Sequence, residues 1–239
     1  AYESQYYART LQEKGWIEDN ENFDVVIVNT CAVTNTAAAK SRQMLHRAKK
    51  KNPQACSVLI GCYAQVATDE EKQKIGADVL IGTKDKNRIA DLIAASVNDH
   101  KKVDDVQDVS SAFAFESMPI EQFESKHRAF LKVQDGCNQF CSYCIIPYAR
   151  GRERSLAASE VVSIAKDLEK KGHLEIVLTG IHTGRYNDGE HDLCDLLGML
   201  LRNTSPEIAF RLSSIEITEI SDRFIELMKK EPRILHHLH

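Results

Sequence analysis

The chain has 239 residues, 43% of them hydrophobic, a formal charge of −4 and seven cysteines. That length and apolar content can bury one large core or two ordinary ones, and two units are expected. A slightly acidic total leaves no whole-molecule basic field for nucleic acid, so any such surface has to be local. There is no apolar run of about eighteen residues and no charged-then-apolar leader, which argues against a membrane partner and secretion and for a cytoplasmic location. In a reducing compartment, closely spaced thiols serve as metal ligands or catalysts more often than as disulfides.

The sequence opens in a helical pattern over residues 2–14, ended by Gly15, and both ends of the chain read as cut. A strand is expected over 23–28, a helix with a basic face over 37–51, a strand over 56–60 and a helix near 69–75. A short strand at 78–81 precedes a helix from 87 to about 97. These alternating units predict one α/β domain, residues 1–98, on a parallel sheet. Residues 99–126 lose the rhythm, carry Asp104, Asp105, Asp108, Glu121 and Glu124, and read as a linker. A second series follows in residues 127–239: strand 129–133, helix 158–171, strand 174–179, helix 192–201, strand 208–215 and helix 221–230. Three such repeats cannot close a barrel, so this domain reads as the first half of one, and residues 234–239 read as the start of a further strand.

Cys137-Asn-Gln-Phe-Cys141-Ser-Tyr-Cys144 puts three thiols within eight residues, just after the strand at 129–133 and the turn Asp135-Gly136. This is the carboxyl end of a first strand, where α/β barrels place their chemistry. Three soft thiolates suit an iron–sulfur cluster whose fourth iron lacks a protein ligand and can bind something else. A structural zinc site would want a fourth ligand, and the nearest histidine, His127, lies before the strand. Buried structural cysteines are a third reading.

Cys-x₃-Cys-x₂-Cys with an aromatic residue before its last cysteine, extended here to Cys144-Ile-Ile-Pro-Tyr-Ala-Arg-Gly151, resembles the radical S-adenosylmethionine (SAM) signature of the methylthiotransferases. Val28-Asn-Thr-Cys31-Ala-Val-Thr34 and Leu59-Ile-Gly-Cys62-Tyr-Ala-Gln65 resemble the same family independently. The resemblance implies an α/β fold: an N-terminal parallel-sheet methylthiotransferase domain followed by the first half of a radical SAM partial (β/α) barrel. It implies two [4Fe–4S] clusters and SAM, with Cys137, Cys141 and Cys144 on the first cluster and Cys31 and Cys62 as two of three ligands of the second. The family's third cysteine for that cluster would fall before residue 1. Phe140 and Tyr143 would shield the first cluster and flank the adenine of SAM, with ordinary loop packing as the alternative. Gly180, ending the second strand, would let the backbone meet the SAM amino group. On the third strand, Arg211, Ser213, Ser214 and Glu216 would reach SAM by analogy. Alternation puts Arg211 and Ser213 on one face, and they are the expected pair. Cys56 and Cys194 read as core thiols.

The segment Asn29–Thr36 with Lys40, Ser41 and Arg42 is similar to the branch acting on N6-threonylcarbamoyladenosine at position 37 of the tRNA anticodon loop. Leu178-Thr-Gly180-Ile-His-Thr-Gly184 points the same way. Lys40, Arg42, Arg47, Lys49, Lys50 and Lys51 crowd one helix, and Arg150, Arg152 and Arg154 follow the cysteine loop, so phosphate contacts could converge there. A solvated basic face is the alternative for the helix. Leu156 and Ile217 depart from related sequences, which often carry arginine and proline there. The expected partners are tRNA, SAM and an electron donor. A ribosomal-protein methylthiotransferase and a non-catalytic iron–sulfur or zinc module that grips RNA remain as competing functions.

Overall fold

The computed structural model describes residues 2–111, 114–118 and 128–239. His127 and the stretch 119–126 lie outside the described residues. Contacts divide the chain into two compact units. The first comprises Glu3–Ala112 and Asn138–Arg152, the second Phe113–Cys137 and Glu153–His239.

The first unit begins with α1 (Tyr2–Glu13) and alternates thereafter: β1 (Val25–Thr30), α2 (Asn35–Lys51), β2 (Cys56–Gly61), α3 (Cys62–Val66), α4 (Asp69–Ile75), β3 (Val79–Ile81), α5 (Ile89–Asp99) and β4 (Val103–Asp105). The four strands form one parallel sheet in the order β1-β2-β3-β4. Side chains alternate across β2, so Val58 and Ile60 pack under α1 and α5, while Leu59 faces Ala38 and Leu45 of α2. The helices start where their sequences say they should. Thr34 accepts from the Ala37 amide at the head of α2, and Thr68 and Glu71 form a reciprocal capping box on α4.

β4 lies inside the stretch expected to be linker. Its sequence, Val-Asp-Asp, carries little apolar signal because β4 is the sheet's edge strand, pairing only with β3.

The second unit opens with β5 (Arg128–Lys132) and a two-residue strand, β6 (Gln134–Asp135). A short helix, α6 (Ile146–Arg150), falls in the Asn138–Arg152 segment counted with the first unit. The chain then forms β7 (Arg154–Ser155), α7 (Ala158–Lys170), β8 (Glu175–Thr179), α8 (Leu193–Asn203), β9 (Ala209–Leu212) and α9 (Asp222–Lys230). Strands β5, β8 and β9 make a parallel sheet in that order, and β6 pairs antiparallel with β7. Where residues 234–239 are expected to start a further strand, the structure has an isolated parallel bridge: Ile234 pairs with Phe210, and the Leu235 amide donates to Phe210 O. Leu156 is buried, and its carbonyl accepts from the Tyr186 hydroxyl at 2.6 Å, so this departure is a core side chain. Ile217, by contrast, is exposed. No described helix is long and apolar enough to cross a membrane.

Candidate metal centre

None of the seven cysteines, all of them among the described residues, is in a disulfide. In the first unit, Thr30 and Gly61 are register partners on neighbouring parallel strands, so Cys31 and Cys62 follow directly at the same sheet edge. The turn into α3 depends on Gly61, whose φ is +102°; a Cβ there would lie 2.8 Å from Asn29 Oδ1 and 2.9 Å from Thr30 O. Thr30 Oγ1 donates to Ile60 O and accepts from the Tyr63 amide, which locks the two strand ends together. Cys31 is exposed and Cys62 is buried. Arg150 Nε donates to Cys62 Sγ at 3.0 Å, and its Nη2 donates to Glu3 Oε2 at 3.0 Å. Glu3 also receives the buried Lys86 ammonium at 3.0 Å. Cys56, at the other end of β2, and Cys194 on α8 have thiols pushed up by burial, in keeping with core positions.

In the cysteine loop, Cys137 is buried, and Cys141 and Cys144 are half-buried. The Cys144 amide donates to Cys141 O, closing a turn between those two. Phe140 sits in the left-handed region at φ +47°. Its ring meets Tyr148 edge-on at 5.8 Å, with Arg152 5.0 Å from its centroid. Tyr143 is 91% exposed. Among the described residues, no three Cys, His, Asp or Glu side chains are gathered into a metal-binding group. The donor set nonetheless fits an iron–sulfur cluster by its chemistry. Three cysteines outside any disulfide lie in one loop and would supply three thiolates, which would leave one iron of a four-iron cluster open to another ligand.

Before that loop, Asp135 is buried, accepting from Lys132 Nζ at 2.7 Å and Arg154 Nη2 at 3.1 Å. Gln134 is fully buried. Its Oε1 accepts from the Ile181 and His182 amides at 2.8 and 2.9 Å, and its Nε2 donates to Asp135 O and Gly136 O at 3.2 and 3.0 Å. A Cβ on Gly180 would lie 2.9 Å from Gln134 Cβ, so this side chain is what Gly180 makes room for. His182 Nδ1 meets the Glu219 carboxylate at 2.7 Å.

Arg211 and Ser213, the pair expected to reach SAM from one strand face, each have a different protein partner. Arg211 Nε is drawn to Glu175 Oε1 at 2.5 Å, at the amino end of β8. Ser213, past the carboxyl end of β9, has its hydroxyl 3.2 Å from Thr183 Oγ1. A strand face is shared by both, but a long side chain follows its ion-pair partner along the strand. The basic residues are likewise partly engaged. Arg42 donates to Tyr63 Oη at 2.6 Å, Lys49 to Asp78 Oδ2 at 2.9 Å and Lys51 to Asn20 O at 3.0 Å. Gln134 is absent from the sequence expectations, and no local pattern could have found it, since its amide partners lie 47 and 48 residues away.

Two families match the chain: residues 1–82 match "Uncharacterized protein family UPF0004" and residues 131–239 match the radical SAM superfamily. With this pair of domains in this order, the chain belongs to the radical SAM methylthiotransferase family. It is 36% identical over 242 residues to the threonylcarbamoyladenosine tRNA methylthiotransferase MtaB of Bacillus subtilis (strain 168), covering 100% of this chain and 54% of that protein. It is 33% identical over 249 residues to a tRNA-2-methylthio-N(6)-dimethylallyladenosine synthase of Lachnoclostridium phytofermentans, again covering 100% and 54%. The chain thus spans about half the length of these curated relatives. Its fold is similar to the radical SAM methyltransferase TsrM from Kitasatospora setae, with a TM-score of 0.64 at 11% identity over 95% of this chain and 55% of that one.

Proposed function

We propose that the chain is the methylthiotransferase and radical-generating portion of an enzyme that converts N6-threonylcarbamoyladenosine-37 of tRNA to its 2-methylthio derivative. The observation that carries this reading is the disposition of cysteines. Three cysteines outside any disulfide lie in the loop after β6, and Cys31 and Cys62 directly follow the register partners Thr30 and Gly61 at the ends of β1 and β2. When bound, a [4Fe–4S] cluster supplies the electron that cleaves SAM and so gives access to an unactivated C–H bond. Cys137, Cys141 and Cys144 would hold that cluster, while Cys31 and Cys62 would contribute two thiolates to a second. Phe140 and Tyr143 would flank the SAM-binding region. The backbone after Gly180 and the Ser213 hydroxyl stand at carboxyl ends of their strands, where they would orient SAM. Arg211, held by Glu175, would act by fixing the sheet.

The substrate branch rests on the Asn29–Thr36 motif and on relatives whose names specify this nucleoside. The match to a dimethylallyladenosine enzyme supports tRNA as the substrate class while leaving a second adenosine-37 derivative as the competing one. A cytoplasmic location and an external electron donor follow from that chemistry.

Anaerobic reconstitution tests the first step. The three-cysteine loop should bind about four irons per cluster, and joint replacement of Cys137, Cys141 and Cys144 by Ala should abolish them. Stoichiometric zinc with no iron would overturn the reading in favour of a non-catalytic module. Mass analysis of tRNA nucleosides from cells lacking the full-length protein decides the substrate, and a lesion confined to a ribosomal protein would reassign the branch.

A further inference from the structure

Gln134 has an unusual set of obligations for a side chain with no exposed surface. A carboxamide offers two N–H donors and an oxygen with two lone pairs. All four are used, two on each side of the group: Nε2 on Asp135 O and Gly136 O, Oε1 on the Ile181 and His182 amides. The first pair belongs to the two residues immediately before Cys137. The second belongs to the turn immediately after Gly180, at the carboxyl end of β8. Packing reinforces the polar contacts, because the absent Cβ of Gly180 leaves the space that Gln134 occupies. Only Gln meets these requirements. Glu cannot donate, Asn is one methylene too short, and Met fills the volume without a hydrogen bond.

We infer that Gln134 is a positioning residue for SAM. It is a rigid planar latch that fixes the distance between the approach to the cysteine loop and the β8 turn. This rests on the function proposed above, in which SAM is held by the iron left open by Cys137, Cys141 and Cys144 and by the turn after Gly180. Both ends of the ligand would then be held by segments that Gln134 ties together. Loss of the latch should leave the three thiols able to take up iron, but should let their spacing from the turn drift.

The test uses the full-length protein, reconstituted anaerobically, with Gln134→Met and Gln134→Glu. Amide hydrogen exchange at Ile181 and His182 reads the latch, equilibrium dialysis reads SAM affinity, and the SAM-induced change in the electron paramagnetic resonance spectrum of the reduced cluster reads placement of SAM at iron. Gln134→Met should keep wild-type iron, exchange both amides faster, bind SAM about tenfold more weakly or worse, and lose much of the spectral change. Gln134→Glu still accepts from both amides, so it should retain their protection while SAM binding weakens, because its links to Asp135 and Gly136 are gone. Wild-type SAM affinity and spectral change in Gln134→Met would overturn the inference. Should Gln134→Met fail to load iron, Gln134→Glu carries the test, and wild-type SAM affinity there overturns it equally. A wild-type protein that takes up no iron or no SAM would instead refute the radical SAM reading itself.

Discussion

At the residue scale, Asp188 shows how one carboxylate holds a loop to a helix. It accepts from the Ala158 amide at the start of α7 at 2.8 Å, from the Glu190 and His191 amides at 3.0 and 2.8 Å, and from His191 Nδ1 at 3.3 Å. Burial pushes its pKa up, but the three amides and the imidazole outweigh that and bring it down to about 2. A carboxylate lowered on folding stabilises the native state fully above the unfolded value of about 4, and that contribution is lost as pH falls through about 2. Asp188→Ala should therefore cost about 1–2 kcal/mol near neutrality, within the range for a lost helix cap. Its deficit relative to wild type should shrink below about pH 4, which urea titrations across pH would show. The cysteines were legible from sequence because their chemistry is local: three thiols in eight residues need no tertiary information. Gln134 and the Arg150 bond to Cys62 were not, since Arg150 finds its sulfur 88 residues away.

Elements were legible in proportion to the length of their periodic signal. The amphipathic helices α2, α7 and α8 and the apolar strands β2 and β8 repeat a pattern often enough to be read, with boundaries displaced by a few residues. Helices α3 and α6, five residues each, and strands β6 and β7, two each, are too short to show a period. They matter here because α3 begins at Cys62, and β6 delivers the chain to Cys137. The basic face of α2 was visible as composition, but its division of labour was not. Lys49 is tied to Asp78 and to Ala55 O, and Arg42 to Tyr63, whereas Lys40, Arg47 and Lys50 are exposed. Charge reversal at Lys40, Arg47 and Lys50 together should weaken tRNA binding and flatten its salt dependence, by about 0.7–0.9 in log–log slope for each phosphate no longer neutralised. Lys49→Ala should behave oppositely, leaving the slope alone and lowering stability by about 1 kcal/mol. Filter binding over a salt series, with parallel thermal melts, separates the two. An unchanged slope in the triple variant would make α2 a solvated face only.

For the molecule as a whole, one chain carries two sets of cysteines, one following β1 and β2 and one in the loop after β6. The C2–H of an adenine is neither acidic nor at an electrophilic carbon, so side-chain acids and bases cannot exchange it for sulfur, and a radical route is required. Generating a radical and delivering a methylated sulfur are different tasks. The loop carrying Cys137, Cys141 and Cys144 would serve the first, and the edge carrying Cys31 and Cys62 the second. Under the proposed function, two SAM molecules would be used per turnover, one leaving as S-adenosylhomocysteine after methyl transfer and one as methionine with 5′-deoxyadenosine. Cys31 is an exposed residue following β1; its Sγ accepts from the Val33 amide of its own loop at 3.5 Å, while the strand end is held by the Thr30 contacts to β2 and α3. Replacing it should leave the sheet intact, so a loss of activity would not reflect unfolding. In the full-length enzyme, Cys31→Ala should stop 2-methylthio formation while reductive SAM cleavage to 5′-deoxyadenosine stays measurable. Joint loss of Cys137, Cys141 and Cys144 should end both. Chromatography of the nucleoside and SAM products from the same reactions reads the two activities side by side. A Cys31→Ala enzyme that still made the 2-methylthio nucleoside at the wild-type rate would show that one site performs both tasks.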